Sequence, residues 1–145
     1  MLIYVINGPN LNLLGKREVA IYGDKSYHEL LKSIHKKAKE LKVKVKIRQS
    51  NEEGKIINFL HKAFFKKVHG IIINPGAFSH YSIAIYDALK AINIPSIEVH
   101  LSDISKREDF RKKSFTSHAC LKTYMGKGFD SYLEALEFLV GELNV

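Results

Sequence analysis

The stretch Gly70 to His80 reads "GIIINPGAFSH", and its first five residues decide the fold. Three isoleucines in a row show no polar alternation, which predicts a central parallel strand, Gly70–Asn74, covered on both faces. The run stops in asparagine, proline and glycine, a turn composition. Working outward, short apolar runs alternate with amphipathic stretches. Upstream lie a strand at about Leu2–Ile6 and a helix opened by the capping-box pair Ser26 and Glu29, running to about Leu41. Then come "VKVKIRQ" (Val43–Gln49), a strand of period two with one wet face, and a helix over about Gly54–Lys67. Downstream lie a helix at about Tyr81–Ile92, the strand "SIEV" (Ser96–Val99) and a short basic helix near Lys106–Lys112. A fifth strand follows at about Leu121–Met125, and "FDSYLEALEFLVGEL" closes the chain as a helix.

Five strands alternating with helices predict an α/β three-layer sandwich around a five-stranded parallel sheet. At 145 residues the chain is read as one domain, 1–145. The flavodoxin-like strand order 2-1-3-4-5 fits that size, and it puts the lysine-bearing second strand at an edge, where lysines discourage stray pairing.

Composition bounds the function. Hydrophobic residues make up 46% of the chain, so it is read as globular rather than disordered. No apolar run approaches the roughly 20 residues of a membrane span. The opening "MLIYVI" lacks the basic start of a signal peptide. A lone cysteine, Cys120, excludes an internal disulfide and a cysteine-cluster metal site, and a reducing cytoplasm is the expected location. The net charge of +8 raises the question of nucleic acid. Its lysines gather in "HKKAKELKVKVK" (35–46), on one helix and one edge strand, with no interleaved aromatics for bases to stack on. A solvated surface is the preferred reading, and a positive field also draws an anionic substrate.

In sheets of this kind the ligand sits beyond the carboxyl ends of the strands. Those ends read "NGPN", "NPGAFSH", "EVHLSD" and "MGKG", so Asn7, Asn10, Asn74, Ser79, His80, Glu98, His100 and Ser102 share one rim. The first loop, "NGPNLNLLG", matches neither a dinucleotide fingerprint nor a P-loop. A metal on His80, His100 and Glu98 is disfavoured, because Glu98 and His100 share one side of a strand and the sequence offers no third close-spaced ligand beside them. Glu98 and His100 point to the same side of their strand, and Glu98 is read as accepting a ring N–H that orients His100. Asparagines and glycines also shape turns, and for Asn7 that reading is preferred. His28, His35, His61 and His69 are read as surface residues.

Four segments taken together resemble the successive signatures of type II 3-dehydroquinate dehydratase. They are "NGPNLNLLGKREVAIYG" (7–23), "RQSNEEGKIINFLHKA" (48–63), "IIINPGAFSHYSIAIYDAL" (71–89) and "IPSIEVHLSDISKREDFRKKS" (94–114). The resemblance implies a hydro-lyase that turns 3-dehydroquinate into 3-dehydroshikimate through an enolate, within the shikimate pathway of aromatic amino acid biosynthesis. It implies no cofactor and no metal, and a homo-oligomer of trimers within a dodecamer. Its partner is a small-molecule substrate, with no nucleic acid and no membrane. Residue by residue, it implies Tyr22 as the base, Arg17 beside it, His100 as the acid with Glu98 behind it, and Asn10 helping to hold the enolate through water. Asn74, His80, Asp87, Leu101, Ser102 and Arg111 correspond to substrate-binding positions, with Asp87 serving a neighbouring subunit. Two places depart from the family pattern. Val19 stands where a proline is usual, and "GKGFDSY" (126–132) puts Lys127 and Ser131 where the family has an aromatic or aliphatic residue and a glycine.

These residue types suit the chemistry. A phenol with a pKa of roughly 10 is a poor base at neutral pH, and a nearby guanidinium favours its ionised form. An enolate oxygen needs donors fixed in advance, and a leaving hydroxyl needs an acid such as a carboxylate-held histidine. The rival readings of the sequence are a non-catalytic small-molecule domain of the same fold and a nucleic-acid-binding domain.

Overall fold

The computed structural model describes residues 1–145. Five parallel strands form one sheet: β1 (Leu2–Asn7), β2 (Lys44–Gln49), β3 (Gly70–Asn74), β4 (Ser96–His100) and β5 (Lys122–Met125). Their order is β2-β1-β3-β4-β5, the flavodoxin-like arrangement expected from the sequence. The single-turn helix α1 (Val19–Tyr22) is followed by α2 (Tyr27–Glu40), α3 (Glu53–Phe65), α4 (Ile83–Ile92) and α5 (Phe129–Leu143).

The apolar pattern explains the layers. In β3 and β4 every residue is buried, because both faces of a central strand meet helices. In β2 residues alternate between exposed and half-buried, and Lys44, Lys46 and Arg48 turn outward along the sheet edge. Odd and even strand positions feed two cores. Ile3, Val5, Ile72, Ile97 and Val99 pack with Leu30 and Ile34 of α2 and with Leu136 and Leu139 of α5. Tyr4, Ile6, Ile71 and Ile73 pack with Ile56 and Leu60 of α3 and with Ile85 and Leu89 of α4. The capping box of α2 forms as read: Ser26 Oγ accepts from Glu29 N–H at 3.1 Å while the Glu29 side chain reaches back to Ser26.

Two segments differ from the expected helices. α4 starts at Ile83, not Tyr81, because Gly76–His80 tightens into a 3₁₀ turn and Ser82 then caps the helix, its Oγ accepting from Ile85 N–H at 3.0 Å. The basic helix near Lys106–Lys112 is two 3₁₀ turns, Ile104–Lys106 and Asp109–Arg111. Arg107 sits between them in extended backbone, φ −91° and ψ −177°. At the departures from the family pattern, Val19 occupies the first position of α1, where proline's fixed φ is favoured. Buried Ser131 accepts the Lys127 N–H with its Oγ at 3.1 Å, so the added hydroxyl is used locally.

Candidate active site

The carboxyl ends of β1, β3 and β4 open into one cleft of about 170 Å³. That is below the ~300–1,000 Å³ of clefts for drug-sized ligands, and it suits a compact molecule. Asn10, Asn74, His80, His100 and Ser102, expected at the strand ends, line it together with Arg17, Tyr22, Leu101 and Arg111, expected from the resemblance, whereas Ser79 is fully buried outside it. Glu98 lies behind His100 rather than in the wall, and Asp87, exposed on α4, is outside the cleft of its own chain. Three arginines and one acid, Glu18, supply the charged lining, so the cleft favours an anion.

The loop after β1 carries Tyr22 inward. It runs from Gly15 to Gly23, both in left-handed backbone with φ of 83° and 86°. Two guanidiniums meet the Tyr22 hydroxyl. Arg107 Nη1 donates at 3.1 Å, and Arg17 Nη2 lies at 3.5 Å with its guanidinium 4.6 Å from the ring centroid. Arg17 is also paired with Glu18 at 2.8 Å and Arg107 more loosely with Glu108 at 3.9 Å, and Arg107 is the closer cation to the hydroxyl. The bond to Tyr22 is the first cause holding the Arg107 guanidinium still more firmly charged than usual. Sequence reading missed Arg107, which belonged to a basic segment resembling a solvated helix. Its position on the loop leaving the Glu98–His100 strand was the available signal.

Across the cleft, His100 Nε2–H donates to Glu98 Oε2 at 2.8 Å, as the strand spacing predicted. Glu98 is fully buried and His100 only 5% exposed. Burial pushes the Glu98 carboxyl up, but bonds and charge from His100, with bonds from Ser114 and Thr116, hold it below the usual carboxylate value. His80 donates Nδ1–H to the Lys113 carbonyl at 2.8 Å, which leaves Nε2 for the cleft. Ser102 Oγ is 3.5 Å from Arg107 Nη1, and Arg111 pairs with Glu108 at 2.9 Å.

Asn7 corrects the turn-shaping expectation. It is fully buried at the end of β1, beside Asn74 of β3 in register. Tyr132 of α5 joins them: its hydroxyl donates to Asn7 Oδ1 at 2.6 Å and accepts from Asn74 Nδ2 at 2.9 Å. Asn74 Oδ1 in turn accepts the Gly76 N–H at 3.1 Å, so Asn74 is fixed from two sides. Burial pushes the Tyr132 phenol far up, and it stays a neutral hydroxyl. Tyr132→Phe leaves a buried acceptor and a buried donor unpaired, and should cost about 1–3 kcal/mol in urea unfolding. A loss under about 0.5 kcal/mol would mean that the two asparagines find other partners.

No three His, Cys, Asp or Glu side chains gather as a metal-ligand set. No helix is long and apolar enough to cross a membrane. The lone Cys120 is half-buried, and burial first, then the Glu98 charge, pushes its thiol far above the usual range.

The family model described as dehydroquinase class II matches residues 1–140. A Clostridium perfringens protein named 3-dehydroquinate dehydratase is 57% identical over 139 residues, covering 96% of this chain and 95% of its own length. One of the same name from Caldicellulosiruptor bescii is 58% identical over 134 residues, 92% of each chain. Among solved structures, type II dehydroquinase from Butyrivibrio crossotus superimposes with a TM-score of 0.94 at 46% identity, covering 96% of this chain and 97% of that one.

Proposed function

Since the chain belongs to the dehydroquinase class II family of hydro-lyases, we propose that it dehydrates 3-dehydroquinate to 3-dehydroshikimate with Tyr22 as base and His100 as acid. The observation carrying this reading is the placement of two guanidiniums on the Tyr22 hydroxyl in the same cleft as a carboxylate-held histidine.

Arg107 and Arg17 set two positive charges beside the Tyr22 oxygen, which takes the proton beside the substrate ketone. Asn10, through an ordered water, and the positive lining hold the enolate oxygen. His100, paired with Glu98 through Nε2, gives its Nδ1 proton to the leaving hydroxyl, which departs as water. Asn74, His80, Leu101, Ser102 and Arg111 orient the anionic ring in the cleft. A lysine imine route has no nucleophile here, because no lysine lines the cleft.

Asp87 completes the site of an adjoining subunit in a trimer, and trimers assemble into a dodecamer. The reaction serves the shikimate pathway in a reducing cytoplasm. The test is direct: with 3-dehydroquinate added, ultraviolet absorbance of the conjugated enone should rise in proportion to protein. An absorbance that stays flat with correctly assembled protein rejects the reaction.

A further inference from the structure

Behind His100 the chain doubles back, and the segment Lys113–Thr116 touches three groups at the rear of the cleft. The Lys113 carbonyl accepts from His80 Nδ1–H at 2.8 Å, and Phe115 N–H donates to the Ser79 carbonyl at 2.8 Å. The two hydroxyls of this segment end on Glu98. Ser114 Oγ donates to Oε2 at 2.6 Å, and Thr116 Oγ1 donates to Oε1. Ser117 N–H already donates to Ser114 Oγ at 3.1 Å, so the Ser114 hydrogen is left for the carboxylate. Thr116, like Glu98, is fully buried.

We propose that Ser114 and Thr116 are positioning residues for the proton-donating step: their hydroxyls hold Glu98 as a fixed acceptor, and Glu98 holds the His100 ring with Nδ1 toward the cleft. The inference rests on the reading of His100 as the acid. A carboxylate taken out of water is unfavourable unless donors replace the water. His100 supplies one donor and the strap supplies two, one of them on the oxygen that His100 does not use. When the enolate collapses, the ketone re-forms and the carbon–oxygen bond to the hydroxyl breaks. The oxygen takes the Nδ1 proton and leaves as water, and His100 becomes neutral. With fewer donors, Glu98 is a less settled partner for the imidazolium, and only this second half of the reaction slows.

The test separates the two halves. In deuterium oxide, enolate formation washes deuterium into unreacted 3-dehydroquinate, whereas hydroxyl loss yields product. Thr116→Val keeps the shape and removes the hydroxyl. Its kcat should fall about tenfold to hundredfold, a fraction of the 10²–10⁴ that a positioned acid provides, with KM within about twofold. The ratio of wash-in to dehydration should rise by a similar factor, and Thr116→Ser should restore both. If Thr116→Val does not assemble, Ser114→Ala carries the same expectation. An unchanged ratio, whether or not turnover falls, overturns the proposal, because a merely structural defect slows both halves together. A parent protein that neither exchanges nor dehydrates the substrate overturns the reading of the reaction itself.

Discussion

Tyr22→Phe is expected to lose about 10²–10⁴-fold in kcat, or about 2.7–5.5 kcal/mol of transition-state stabilisation, with substrate-analogue affinity nearly intact. The substitution removes one oxygen. The ring stays, and with it the packing of the Arg17 guanidinium 4.6 Å from its centroid and of Arg107 at 5.7 Å. The loop from Gly15 to Gly23 takes its course from backbone, so the variant should fold and assemble as the parent does. What disappears is the only phenol lining the cleft. A loss confined to kcat assigns Tyr22 to bond-breaking, and a variant keeping more than a tenth of parent turnover removes it from the base role.

Asp87→Ala and His100→Ala, each nearly inactive alone, should regain part of the parent activity when unfolded together and refolded as mixed assemblies. Asp87 is exposed on α4 and does not line the cleft of its own chain. Ile83, one turn earlier on the same helix face, is 49% exposed, and nearby Tyr81 is 60% exposed. Apolar side chains beside an unpaired carboxylate suit a surface that an adjoining subunit covers. In a mixed trimer, some clefts combine an intact His100 with an intact Asp87 from the neighbour. Mixtures of correct size that stay as inactive as their parents would confine Asp87 to its own chain.

The parts of the fold that were legible are those governed by a repeating pattern. The uniform run of β3 and the alternation of β2 set the sheet order, because burial on two faces and on one face leave different residue periods. The Glu98–His100 contact was legible because both lie two apart on one strand. Arg107 was not legible, because its aim depends on a break between two 3₁₀ turns, and a run of charges looks the same in a helix. Ser114 and Thr116 were hidden for a related reason. They lie 16 and 18 residues from Glu98, and their contact follows from a loop folding back across β4, which no local spacing records. Asn7 misled because asparagine at a strand end is normally a turn residue. Its partner, a tyrosine, lies 125 residues away.

That separation sets an order of events during synthesis. Asn7 and Asn74 are made early, yet the hydroxyl that joins them belongs to Tyr132, on the last helix of the chain. While the ribosome holds the end of the chain, β1 and β3 can pair, but Asn7 and Asn74 lack the hydroxyl that joins them. Closure waits for the final helix to emerge and dock, a long-range contact of the kind that slows folding. A nascent chain stalled before residue 132 would therefore carry every residue that lines the cleft while lacking the hydroxyl that holds Asn74 among them.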